Sequence, residues 1–265
     1  GPGGEGALEI FDFNSGVLIH TEWAYVAWPE YNELQGETRP VCGDIDGDGK
    51  DEIIVGLGSA TDSSLDYGQF AIIDDTLVHL AWGMVGWPEY NELNGENWPA
   101  TGDIDGDGDS EIIIGLGPGG EGKIEFFDFT DESTEHITWA QIDWSEYNSY
   151  YGETRPVSGD IDRDGKDETI IGLGPVFEEP EIPQGYFLVI DDDFTKLEWG
   201  QVDWADFNAV NGESRPVSGT MGGDEKVIIG LGTWNVGEAP GLTDIPDTSA
   251  GGGGGGGGCF ISSLF

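Results

Sequence analysis

Strand-like runs of five to nine residues fill this chain, punctuated by Gly, Asp and Pro, and no stretch sustains the three-four apolar spacing of an amphipathic helix. Between residues 99 and 144 the runs read PATGD (99–103), EIIIGLG (111–117), KIEFFDF (123–129) and HITWAQIDW (136–144), four predicted strands in succession. Segments such as IIIGL and EIFDF are apolar on both faces. A strand of that kind belongs in a sheet covered on both sides.

The pattern is periodic. WPEYNELQGETRPVCGDIDGDGKDEIIVGLG (28–58) returns at 87–117 and 144–174, and in altered form at 204–232. Trp28, Trp87, Trp144 and Trp204 open the copies, at spacings of 59, 57 and 60 residues. Four short strands per period with glycine-rich turns predict an all-β fold, a four-bladed β-propeller of four-stranded blades over residues 1–232. The chain opens in mid-unit, since GPGGEGALEIFDF (1–13) matches GPGGEGKIEFFDF (117–129). Its first segment is expected to supply two outer strands, 7–13 and 20–28, whose inner partners come from 215–232. One blade is then shared by the N- and C-terminal segments. The alternative is an open stack of repeats, which leaves both half-blades without partners.

Inside three of the copies lies an acidic decapeptide: GDIDGDGKDE (43–52), GDIDGDGDSE (102–111) and GDIDRDGKDE (159–168). Carboxylates stand at loop positions 1, 3, 5 and 9, which are Asp44, Asp46, Asp48 and Glu52 in the first copy. They are Asp103, Asp105, Asp107 and Glu111 in the second, and Asp160, Asp162, Asp164 and Glu168 in the third. Position 7 (Lys50, Asp109 and Lys166) offers a backbone carbonyl, and a glycine at position 6 permits the sharp turn. An all-oxygen set in this order is how a short loop wraps a hard cation, so Ca2+ is expected at three sites. The fourth copy is degenerate, because Thr220 replaces the first Asp and the loop is two residues shorter.

The succession of strand, GDxDGDGxxE and strand resembles the FG-GAP and VCBS-like repeats of integrin-type β-propellers. In those repeats the calcium loop joins the first two strands of a blade. The resemblance spans residues 1–232; the WPEYNELxGE segment is not part of that pattern. It implies fold and calcium, and no single activity.

Composition narrows the function further. Nine Lys and Arg stand against 53 Asp and Glu, a formal charge of −44. That argues against a phosphate-binding surface, so no nucleic-acid partner is expected. No apolar run is long enough to cross a membrane. A chain opening at Gly1 fits one from which a leader has been cut, and calcium loops suit an extracellular or cell-surface location. GxSxG, HExxH and phosphate-loop motifs are absent, and His20, His79 and His136 recur at corresponding strand positions, so no catalytic residues are assigned. A polysaccharide-active enzyme is the exception kept open, because acids are everywhere.

From residue 233 a Pro/Gly-rich linker (233–250) leads to eight glycines and CFISSLF (251–265). This extended Gly-rich C-terminal tail is expected to dock into a neighbouring copy, giving a head-to-tail self-assembly, or else to fold back on its own ring. Cys42, where the other copies have Thr101, Ser158 and Ser218, is expected to form a disulfide with Cys259, within or between chains. A buried, unpaired Cys42 is the alternative. Aromatic pairs at Trp28 and Tyr31, Trp87 and Tyr90, Trp144 and Tyr147, and Trp204 and Phe207 are candidates for stacking on extracellular glycans. Their other reading is as wedges between sheets. The favoured function is a structural subunit of an extracellular filament or layer; the competing one is a lectin-like adhesin.

Overall fold

The computed structural model describes residues 1, 3–59, 65, 67–175, 184–209 and 212–232. The linker and tail, with Cys259, lie outside the described residues. Three complete antiparallel sheets form the body of the molecule. The first holds β3 (Thr38–Gly43), β4 (Glu52–Leu57), β5 (Gln69–Ile73) and β6 (His79–Met84) in sequence order. The second holds β7 (Asn97–Gly102), β8 (Glu111–Leu116), β9 (Lys123–Thr130) and β10 (Ser133–Gln141). The third holds β11 (Thr154–Gly159), β12 (Glu168–Leu173), β13 (Tyr186–Ile190) and β14 (Lys196–Gln201). Two-stranded sheets flank them: β1 (Ala7–Asn14) with β2 (Val17–Tyr25), and β15 (Ser214–Met221) with β16 (Asp224–Leu231).

The expected joining of these flanking pairs into one shared blade is not what the structure has. Each is a separate two-stranded sheet, and no backbone ladder links β1 to β16. Each pair is anchored to its own neighbour. Gly3 and Gly6 N–H groups bond to Gln35 and Gly36 beside β3, whereas Ser214 and Ser218 bond to β12 and β11. The fold is all-β with four-stranded antiparallel sheets; neither end of the array pairs with the other.

A second difference concerns helices. Each copy's WPEYNEL-type segment folds into a short helix: α1 (Pro29–Leu34), α2 (Pro88–Leu93), α3 (Ser145–Tyr150) and α4 (Ala205–Asn208). Proline in the first turn of α1 and α2 supplies a preset φ where no amide donor is needed. Each helix is too short to show a period in sequence. Its anchor is one buried ring, Tyr31, Tyr90, Tyr147 or Phe207.

The core lies between sheets. Ile54, Phe70 and Ile72 of the first sheet pack on Ile112, Ile114 and Phe127 of the second. Ile113, Ile124 and Phe126 of the second meet Ile171, Leu188 and Ile190 of the third. A strand such as β8 therefore feeds two cores, which is why its sequence is apolar on both faces. Tyr147 ties a helix into this stack: its hydroxyl donates to Glu153 O (2.6 Å) and accepts from Gly174 N (2.9 Å). Tyr147→Phe should cost about 1 kcal/mol of unfolding free energy in denaturant titration.

Candidate metal centres

In an antiparallel meander the β3–β4 loop and the β5–β6 turn fall at the same end of the sheet. The acidic decapeptides occupy those β3–β4, β7–β8 and β11–β12 loops, and each closing Glu is the first residue of the second strand. The loop glycines at position 6 adopt the left-handed backbone, with φ of +88° at Gly49, +104° at Gly108 and +97° at Gly165. Each donates its N–H back to the first Asp, at 2.9 Å to Asp44, 3.2 Å to Asp103 and 3.2 Å to Asp160. The loops stand side by side. Ser110 N donates to Asp44 O (2.7 Å), and Asp167 N to Asp103 O (2.8 Å).

Carboxylate oxygens converge in all three loops. Asp44, Asp46 and Asp48 place one oxygen each within 4.8 Å of one another, as do Asp103, Asp105 and Glu111, and Asp160, Asp162 and Glu168. Asp107 and Asp164 stand outside these tightest groups, and their N–H groups cap Asp105 and Asp162 instead. The lysine side chains at position 7 pair with nearby carboxylates, in the first loop with one of the converging aspartates. Lys50 Nζ pairs with Asp48 (3.2 Å) and Asp75 (3.0 Å), and Lys166 Nζ with Asp192 (2.5 Å).

The residues present fit a hard cation. Asp44 Oδ1, Asp160 Oδ1 and Glu168 Oε1 are shielded from solvent yet take no hydrogen bond among the described residues. A buried carboxylate oxygen left this way is costly unless a cation or water meets it. The donor set contains oxygen only, the preference of calcium-type ions. Glu52, Asp74 and Asp75 form a further group that a motif search overlooks, because Asp74 and Asp75 sit in the β5–β6 turn. Their signal was the paired acids between the third and fourth predicted strands, repeated at Asp191–Asp193. Together the first two loops and neighbouring turns enclose an acidic cavity of about 580 Å³, lined in part by Asp46, Asp75, Asp109 and Asp128.

Burial pushes the carboxyls of Glu52 and Glu111 up to about 7, the nearby aspartates add to it, and the Ile45 and Ile104 N–H groups pull the other way. Burial raises Glu168 in the same direction. A carboxyl raised in the folded state stabilises most below its unfolded value and loses that contribution as pH rises through 7. In chelator, the chain should therefore melt at a higher temperature at pH 5.5 than at pH 8. Adding excess calcium should reverse that order, because the ionised forms are the ligands.

The degenerate fourth copy folds as a tight hairpin. Gly222 and Gly223 turn the chain and Met221 pairs directly with Asp224, so the strands extend through the space a loop would use. Cys42 is exposed and its carbonyl accepts Thr101 Oγ1 (2.8 Å), unlike the buried thiol that was the alternative to a disulfide. Its expected partner, Cys259, is outside the described residues.

The aromatic residues divide by role. Tyr31, Tyr90, Tyr147 and Phe207 are buried, while Trp28, Trp87, Trp144 and Trp204 are partly exposed. Trp28 meets Trp82 edge-on at 6.0 Å, and Trp144 meets Trp199 likewise at 6.0 Å, so these rings wedge neighbouring sheets. Trp144 also borders two grooves, of about 650 and 390 Å³. The Asn after each aromatic is structural: Asn32, Asn91, Asn148 and Asn208 donate to Val26, Val85, Ile142 and Val202 carbonyls. His136 Nδ1 lies 2.9 Å from Glu125 and His20 Nδ1 3.3 Å from Glu9, while burial lowers His79 below its usual range.

Fold and loops together define an all-β repeat protein with acidic loops along one end of its sheets whose carboxylates could hold a metal ion. No family model matches the chain, and no curated protein sequence does. It is similar to the exotype rhamnogalacturonan lyase YesX, at 17% identity over 60% of this chain and 29% of that one, with a TM-score of 0.39. It is similar also to rhamnogalacturonan lyase YesW (13% identity, 73% and 44% covered, TM-score 0.38). The Bacillus licheniformis rhamnogalacturonan lyase PL11 gives 12% identity, the same coverage and a TM-score of 0.39. The chain spans less than half the length of each, and likeness this slight carries no activity across.

Proposed function

We propose that this chain is a calcium-binding protein of the FG-GAP and VCBS-like propeller kind, its sheets serving as blades, and that it works as a structural subunit of an extracellular assembly. The observation that supports this reading is the threefold recurrence of a loop whose carboxylate oxygens already converge, three of them buried without a hydrogen bond. Calcium in those loops would be held by Asp44, Asp46 and Asp48, by Asp103, Asp105 and Glu111, and by Asp160, Asp162 and Glu168. Its chemistry there is charge neutralisation, which lets adjacent acidic loops pack. Nothing in this role requires catalysis. Isothermal titration should give calcium binding, and Asp160→Ala should remove one site. Titration without heat or saturation up to millimolar calcium would refute it.

In the same reading the Gly-rich tail (251–265) is a connector to a neighbouring copy, and deleting it should lower the assembly state. The second reading, an adhesin for extracellular glycans, is favoured by the partly exposed Trp144 between its two grooves. On a glycan array, Trp144→Ala should abolish any signal the parent chain gives.

A further inference from the structure

Each junction between successive sheets is built from the same small set of contacts, and both ends of the array present one half of that set. At the first junction a Cβ on Gly56 would lie 2.4 Å from Pro99 Cδ; at the next, Gly115 stands the same way to Pro156, and then Gly172 to Pro216. Gly230 is next in the series, and among the described residues a Cβ there meets only Arg215, whose carbonyl oxygen lies 3.2 Å away. The other close approach runs in parallel. Gly43 backs onto Thr101, Gly102 onto Ser158 and Gly159 onto Ser218, whereas among the described residues nothing lies within 4 Å of a Cβ on Gly219.

Polar partners follow the same order. Leu57 N–H donates to Asn97 Oδ1, Leu116 N–H to Thr154 Oγ1 and Leu173 N–H to Ser214 Oγ. Arg39 joins its own Glu37 (2.9 Å) to Glu96 of the next copy (2.5 Å), and Arg155 joins Glu153 to Glu213, whereas at the middle junction Trp98 stands in the arginine's place and packs against both guanidinium groups. Arg215 reaches back to Glu213 (2.7 Å), and the following members of both series are Thr38 and Glu37. Those residues are at the far end of the chain, on and beside β3. They are the half that a second copy would bring.

The strand edges agree. Ile228 of β16 is 43% exposed, while its counterpart Ile113 in β8 is 0% exposed; Phe11 of β1 is 46% exposed against 4% for Phe127 in β9. Exposed apolar strand edges of this kind are templates for pairing with another chain. Within a complete sheet Gly115 pairs with Ile124 and Ile112 with Phe127.

We propose that two copies of this chain join head to tail, β16 of one pairing with β1 of the second to complete a four-stranded sheet β15–β16–β1–β2. The register carries over, setting Gly230 opposite Leu8 and Val227 opposite Phe11 of the second copy. Pro40 of the second copy then covers Gly230, Cys42 backs onto Gly219, and Glu37 meets Arg215. The inference deepens the reading as a building subunit and rests on it, but it places the joint in the sheets and not in the tail.

Gly219 gives the test, because its backbone is not in the left-handed region and a Cβ there meets none of the described residues of its own chain within 4 Å. In the joined form the same side chain would collide with Cys42 of the second copy. Sedimentation velocity of the full chain in calcium, from about 1 to 100 µM, should reveal growth beyond one chain. Gly219→Leu should weaken that association at least ~10-fold while keeping the melting temperature of the isolated chain. A parent chain that stays single overturns the proposal. So does Gly219→Leu assembling as well as the parent, which would leave the tail as connector. A large drop in the melting temperature of single-chain Gly219→Leu also overturns it, because the slot would then be filled from within the same chain. Calcium titration of the same samples keeps the two readings apart: assembly blocked by Gly219→Leu in a chain that binds no calcium would sink the calcium reading alone.

Discussion

Chelating divalent cations should lower the melting temperature of this protein by roughly 15–30 °C. The estimate follows from linkage: a site with a dissociation constant near 10 µM in 1 mM calcium contributes about 2.7 kcal/mol, so three contribute about 8. In a domain of this size each kcal/mol is worth roughly 2–4 °C. Removing the ions also restores repulsion among oxygens that converge within 4.8 Å in each loop. The loops share hydrogen bonds, Ser110 to Asp44 and Asp167 to Asp103, so loss at one site should loosen its neighbour. Asp103→Ala, in the middle loop, should therefore reproduce more than a third of the chelation effect in differential scanning calorimetry. An unchanged melting curve in chelator would be incompatible with metal-supported loops.

Gly115→Val should be among the most damaging single substitutions outside the loops. A Cβ there would fall 2.4 Å from Pro156 Cδ and 2.4 Å from Thr154 O, both rigid parts of the next sheet. Neither can swing aside as a flexible side chain would, so sheets two and three must separate locally. Overpacking of this severity, with Ile113 and Ile171 on either side, should cost at least about 3 kcal/mol, or roughly 6–12 °C in melting temperature. At the free end a Cβ on Gly230 meets only Arg215 among the described residues, its carbonyl oxygen at 3.2 Å, so Gly230→Val should cost the isolated chain no more than about 1 kcal/mol. Equal losses at the two positions would mean that sheet-to-sheet packing is not what the recurring GLG segment serves.

Much of this architecture could be read from the chain. Continuous apolar runs such as IIIGL marked strands buried on both faces, and the shortened fourth loop, without its first Asp, marked a copy unlike the other three. The three oxygen-rich loops were legible because side-chain order within a ten-residue segment is a local property. Other features were not local. The helices over WPEYNEL are held by one buried Tyr and a Trp wedge rather than by a repeating stripe, so their periodicity is invisible. Asp74 and Asp75 join an acidic group only because an antiparallel meander returns its third turn to the end where the first loop lies. The fate of the two half-sheets was undecidable from sequence for a plain reason: complementary edges read alike whether they meet within one chain or between two. Arg39 and Arg155 stacking on Trp98, at 3.9 and 4.7 Å, likewise depends on three copies standing in line.

Native mass spectrometry of the chain in calcium would weigh the central idea most directly, by counting bound ions. Three tightly held calcium ions per chain, falling to two in Asp103→Ala, is the expected spectrum. A chain that flies bare, or a calcium count untouched by Asp103→Ala, would mean that these aspartates serve something other than a cation.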